Sequence, residues 1–280
     1  MRWREGRKSS NIEDRRGHRM PMKAVGGGIG GLIVLVLAVM LGVDPGTVLN
    51  DSTLGGPGFD SASISEEDRE LADFVSVVLA DTEDTWSAIF AADNIDYREP
   101  TLVMFSGAVE SACGFAQSAV GPFYCPADEK VYIDLSFYRD LKDRHGAPGD
   151  FAQAYVIAHE VGHHVQNQLG IMEQVRRAQI GLDQVDANRL SVMQELQADC
   201  FAGVWGYSAN QEGILEQGDV EEALNAASSI GDDRLQMESQ GRVSPDSFTH
   251  GTSAQRVSWF NTGLENGDVE SCDTFEAMNS

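Results

Sequence analysis

The hexapeptide HEVGHH at residues 159–164 sets His159 and His163 four positions apart, with Glu160 directly after the first. On a helix, residues four apart share a face one turn apart, so both imidazoles can grip one zinc ion at about 2 Å each. Glu160 then stands where it reaches a water at the metal without binding the metal, the position of a general base. A His-Glu-x-x-His match arises by chance roughly once per hundred chains of this length, and the flanking residues are apolar. A buried helix does not carry two imidazoles and a carboxylate unless they have partners.

A catalytic zinc takes three protein ligands and leaves a fourth position to water. A metzincin would supply histidine at 169 and glycine at 166; Leu169 and Gln166 occupy those positions and exclude that pattern. The better source is ELQAD at 195–199, where Glu195 and Asp199 share a helix face. Glu195 is expected as the third ligand. Asp199 is expected to accept the spare ring N–H of a ligating histidine and so fix its tautomer. His250, in FTHGTS just before an expected helix, is a second catalytic candidate, as a donor to the developing oxyanion. His164, five after His159, falls off the ligand face and reads as a packing or hydrogen-bonding residue. Cys200 has no cationic neighbour to lower its pKa and is not expected as a nucleophile.

These groups need long helices to hold them. Apolar spacing predicts helices over about 65–92, 151–169, 186–207, 220–230 and 253–264, and strands at TLVMF (101–105) and KVYIDL (130–135). Few strands among many helices make the fold class α+β, with a small sheet. VYIDLS is expected to run beside the active-site helix and offer its main chain to an extended substrate.

The N-terminal part is of another kind. Residues 1–23 carry eight Lys or Arg against three acids, and the next twenty residues, 24–43, carry no charge. A helix of that length spans about 30 Å, the thickness of a bilayer core. No small-x-small cleavage site precedes Asp44, so the run reads as an uncleaved transmembrane helix and lipid bilayer as its partner. The basic flank orients it, with 1–23 as a cytoplasmic tail, 44–64 as a flexible linker and 65–280 as one domain outside the membrane.

Over 280 residues, 42% apolar and 23% charged, the chain is an ordinary globular one; its net charge is -24. Such an excess of acids repels phosphate backbones, which excludes nucleic acid as the expected partner. Beyond Lys23 the balance is -29, suited to solubility in a salty or acidic exterior, or more sharply to basic substrates. The four cysteines all lie beyond the apolar run, as in an exported domain. Three pairings are open to them, and the unnested one, Cys113 with Cys125 and Cys200 with Cys272, is the expectation.

The blocks GPFYCP (121–126), VYIDLSFY (131–138), DFAQAYVIAHEVGHHVQ (150–166), ELQADCFAG (195–203), IGDDR (230–234) and FTHGTSAQR (248–256) resemble a bacterial family described as putative neutral zinc metallopeptidases. The resemblance covers nearly the whole outer domain and the basic, single-helix N-terminus. It implies a zincin-like, gluzincin-like domain with His159, His163 and Glu195 as zinc ligands, attached to the bacterial cell membrane. The activity it implies is hydrolysis of peptide or protein substrates with one zinc ion as cofactor. Two other readings stand beside it: a zinc-stabilised, inactive envelope scaffold, and a cell-wall amidase using the same water activation.

Overall fold

The computed structural model describes residues 1–17, 65–118 and 121–277. In chain order it begins with strand β1 (Ile12–Asp14), helix α1 (Glu66–Ala92), β2 (Thr101–Phe105), β3 (Ala108–Ser111), β4 (Gly114–Gln117), β5 (Phe123–Cys125) and β6 (Lys130–Asp134). Helices follow: α2 (Ser136–Asp143), α3 (Asp150–Gln168), α4 (Ile171–Ala178), α5 (Gln184–Gln211), α6 (Asp219–Ser229), α7 (Asp232–Gln240), α8 (Ser253–Asn266) and α9 (Thr274–Ala277). The fold class is α+β, as the sequence implies.

Four strands form one sheet in the order β1-β2-β6-β5, with β5 antiparallel and the others parallel; β3 and β4 make a separate hairpin. Successive strand residues point to opposite faces. Leu102, Met104, Val131 and Ile133 enter the main core against the helices, while Val103, Phe105 and Tyr132 pack with Val109 and Cys125 on the other side. Burial on both faces is why TLVMF and KVYID are near-continuous apolar runs. The pairing of β6 also limits how VYIDLS could meet a substrate to one edge. β2 pairs β6 along its whole length, so that edge can take no substrate strand, while β5 covers the other edge only over Lys130–Tyr132.

Helix α3 is buried almost throughout, from Phe151 to Gln166, and lies at the centre of the helical layer. Its approach to α5 depends on Gly162, between the two histidines of the motif: a Cβ there would stand 2.9 Å from the Ala198 carbonyl oxygen. A similar contact joins α8 to α5, where a Cβ on Gly263 would overlap the Cys200 carbonyl. Caps fix the starts of both partner helices. Asp183 accepts from Asp186 N at 3.0 Å ahead of α5, and Thr252 with Gln255 closes a capping box ahead of α8. The disulfides are the unnested pair, Cys113–Cys125 and Cys200–Cys272.

The N-terminal expectation needs correction. Residues 1–16 are no separate tail; with residues 66–277 they belong to one compact unit. Leu102 N donates to Asn11 O and Arg15 N to Met104 O, both at 2.8 Å, so β1 is a true strand of the sheet. Around it, Arg7 binds Glu83 (3.1 Å) and Asp84 (2.8 Å), Lys130 pairs with Glu13, and the Met1 amino group meets Asp150 (2.9 Å) and Asp219 (3.2 Å). Among the described residues, the basic side chains read as membrane-orienting charges are therefore paired with acidic partners. Strands that share backbone hydrogen bonds lie on one side of any bilayer, so β1 and β2 stand together. The apolar run 24–43 and the linker 44–64 lie outside the described residues; among the described residues no helix is long and apolar enough to cross a membrane.

Candidate metal centre

His159 and His163 project from one face of α3, and α5 brings Glu195 against them. The Glu195 carboxylate oxygens stand 3.2 Å from His159 Nε2 and 3.4 Å from His163 Nε2. Two ligand atoms each about 2.0 to 2.1 Å from a tetrahedral ion are separated by about 3.4 Å, so this spacing suits one shared zinc ion. The three groups all offer a ligand atom within 4.8 Å of one another. Nitrogen, nitrogen and carboxylate oxygen form the donor set of a catalytic zinc that keeps a fourth position open.

Both imidazoles are oriented from behind. His159 Nδ1 donates to Asp199 Oδ1 at 2.8 Å, and His163 Nδ1 donates to Gln166 Oε1 at 2.9 Å. Each bond holds a ring proton on Nδ1 and turns Nε2 towards Glu195, where it can bind a metal once its own proton has left. Gln166 is itself fixed, because its amide donates to Gln194 O (2.7 Å) and Gln197 Oε1 (3.0 Å) on α5.

Asp199 is held by a buried network. Arg256 of α8 binds it through Nε (2.8 Å) and Nη2 (2.9 Å), and Tyr155 donates its hydroxyl to the same carboxylate. Burial pushes the Asp199 carboxyl up, but Arg256 and His159 outweigh it and hold the pKa down to about 2. Glu195 is likewise held well below the carboxylate range, against its burial, by the two imidazoles. In return, Asp199 and Glu195 overcome the burial of His159 and raise it to about 10 without a metal. Glu160 differs: burial outweighs the neighbouring histidines and its pKa is raised, the direction that suits a general base near neutral pH.

His250 sits on the loop ahead of α8, half exposed, with Nδ1 3.2 Å from Asp232 Oδ1. The other Asp232 oxygen accepts the backbone N–H groups of Thr249 (2.7 Å), His250 (2.6 Å) and Gly251 (3.1 Å), which shapes the loop. Its Asp232 bond raises the His250 pKa against its desolvation, and the Glu195 charge adds to the rise. His164 faces away from the centre, between Tyr124 Oη (3.1 Å) and Arg98 O (2.5 Å).

The structure thus brings together His159, His163, Glu195, Glu160 and Asp199, with His250 at the margin. Sequence reading assigned no role to Arg256, Tyr155, Gln166 or Asp232. Arg256 and Asp232 do sit in the motif blocks IGDDR and FTHGTSAQR. An arginine among the apolar positions of α8, which end up against a helix bearing an acid, was the available signal.

The family described as "Putative neutral zinc metallopeptidase" matches residues 1–275. An uncharacterized protein of Escherichia coli K12, YpfJ, is 55% identical over 98% of this chain and 99% of its own. An uncharacterized protein of Mycobacterium bovis, Mb2605, is 42% identical over 86% of this chain and 85% of its own. No solved structure matches. The family match includes β1, in keeping with its place in the sheet, and takes in every residue of the centre: the chain belongs to the putative neutral zinc metallopeptidase family.

Proposed function

We propose that this chain is a zinc-dependent peptidase in which His159, His163 and Glu195 hold one zinc ion and Glu160 is the general base. The observation that carries the reading is the convergence of those three ligand atoms beside a buried glutamate whose pKa is raised. A zinc ion held there supplies Lewis acidity and makes water a nucleophile near neutral pH. Glu160 takes the proton of the attacking water and hands it to the leaving amine. His250, aligned by Asp232, donates to the carbonyl oxygen as it becomes negative. Asp199 and Gln166 keep the histidine rings in place, and Arg256 keeps Asp199 ionised and aimed.

Two disulfides favour an oxidising compartment outside the cytoplasm. In this reading residues 24–43 attach the protein to the bilayer, with β1 and the catalytic body together on the outer side. Thiol labelling of single cysteines placed at exposed Glu5 and Glu265 in intact cells checks the arrangement. Equal labelling at both supports it, and labelling at only one overturns it.

The catalytic reading is tested with the purified full chain and a peptide library. Cleavage by the zinc-loaded protein that disappears in Glu160→Gln supports it. A folded chain with one zinc and no cleavage overturns it in favour of the scaffold reading, and cleavage confined to cell-wall amides favours the amidase.

A further inference from the structure

Beside the centre, a recess of about 430 Å3 lies between α5 and the loop that carries His250. On α5, Val185, Asn188, Val192 and Glu195 recur at intervals of three and four residues, and therefore occupy one stripe of the helix. At about 1.5 Å of rise per residue, Val192 stands about one turn from Glu195 and Val185 about 15 Å away. The facing wall is Val243, Pro245 and Phe248, from the segment running into His250. Gly251, at φ +90°, lets this loop lie close to α5: a Cβ there would stand 3.2 Å from both Val192 and Leu196. Recess and metal centre thus lie along one stripe of α5, with the Gly251 turn packed between them.

Several of the polar groups around the recess are already paired. Arg189 pairs with Asp186 at 3.0 Å, Asn188 donates to Asp246 O at 2.8 Å and accepts from Gln184 at 2.8 Å, and Asp233 accepts from Ser253 N and Oγ. What remains for a ligand is mainly carbon. An extended peptide advances about 3.3 Å per residue, so the recess lies within about four residues of a bond held at the centre.

Resting on the peptidase reading, we propose that this recess receives a bulky apolar side chain of the substrate and makes the enzyme selective for peptides that carry one near the cleaved bond. Val185, Val192 and Val243 are the residues that set the preference. Enclosure by carbon favours a large apolar group over alanine and disfavours a charged one, whose water it would strip.

The test walks a single phenylalanine through each position of an alanine decapeptide, with the all-alanine peptide as reference and lysine and glutamate walks beside it. The zinc-loaded full chain is expected to cleave one phenylalanine register with kcat/KM at least tenfold above the reference. That advantage is expected to fall at least tenfold in Val185→Trp and Val243→Trp, each checked for one zinc per chain. A phenylalanine advantage that survives both substitutions, or a lysine or glutamate walk that outperforms phenylalanine, overturns the proposal. If the zinc-loaded wild type cleaves nothing, the peptidase reading has failed, and binding decides the recess. A labelled phenylalanine peptide that binds Glu160→Gln at least tenfold more tightly than Glu160→Gln/Val185→Trp keeps the recess as an apolar side-chain site, and equal binding overturns it.

Discussion

Arg256 grips Asp199 with two nitrogens, Nε at 2.8 Å from one carboxylate oxygen and Nη2 at 2.9 Å from the other, and both side chains are buried. The pair links α8 to α5 directly behind His159. Its placement makes the orientation of His159, a proposed metal ligand, depend on a helix that supplies none of the three candidate ligands.

Removing one member of a buried ion pair leaves an uncompensated charge inside the protein. Arg256→Met is expected to destabilise the zinc-free chain by about 3 to 5 kcal/mol. The double variant Asp199→Asn/Arg256→Met is expected to recover much of that loss, because neither charge remains. Urea melts of the two variants check this. A double variant less stable than Arg256→Met alone would contradict it.

Zinc and protons compete for the same nitrogens. His159, raised to about 10 in the metal-free protein, carries its proton at pH 7, and His163 is raised too. Zinc binding at pH 7 is therefore expected to release about one proton or more, and affinity to fall as the pH is lowered. Calorimetric titration in two buffers of different ionisation enthalpy measures the number. Identical heats in both buffers would show that His159 is already neutral.

Asp81 on α1, which accepts from Trp205 Nε1 at 2.6 Å, has its carboxyl pushed up to about 6, mainly by burial. The folded pKa lies above the unfolded value of about 3.9, so the group favours folding below about pH 4 and loses that contribution as the pH rises through about 6. At about 1.4 kcal/mol per pKa unit, Asp81→Asn is expected to gain about 2 to 3 kcal/mol relative to wild type between pH 4 and 7.5. The asparagine oxygen still accepts from Trp205. Parallel stability curves for the two proteins would contradict the assignment.

The two disulfides differ in what they close. Cys200–Cys272 spans 72 residues and Cys113–Cys125 spans 12. Chain-entropy arguments give about 4 kcal/mol for the first and about 3 kcal/mol for the second. Thermal melts of the paired alanine variants are expected to rank them in that order. Cys200 follows Asp199 on α5, so the first variant is also expected to bind zinc more weakly, whereas the second, on the hairpin side of the sheet, is not.

The grouping of the candidate site residues was legible in the sequence because helical spacing is local. His159, His163, Glu195 and Asp199 could be placed on shared faces from their intervals alone, and the long helices were found to within a few residues of their ends. What was not legible depended on partners far along the chain. β1 is three residues long and becomes a strand only by pairing with β2, some 90 residues later. The basic residues before the apolar run carried a membrane signal that their partners Glu13, Glu83 and Asp84 account for within the body. Likewise Arg256 acquires its role only when the Gly263 contact lays α8 on α5, and the hairpin β3–β4 is too short and polar to give a period.

The most direct test of the account is the zinc content of the full chain measured for wild type, Glu160→Gln and Glu195→Ala side by side. The account predicts one tightly held zinc in wild type and in Glu160→Gln, and a loss of affinity of at least about 100-fold in Glu195→Ala, which removes one of three ligands. Equal zinc binding by all three proteins would take Glu195 out of the site and contradict the centre described here.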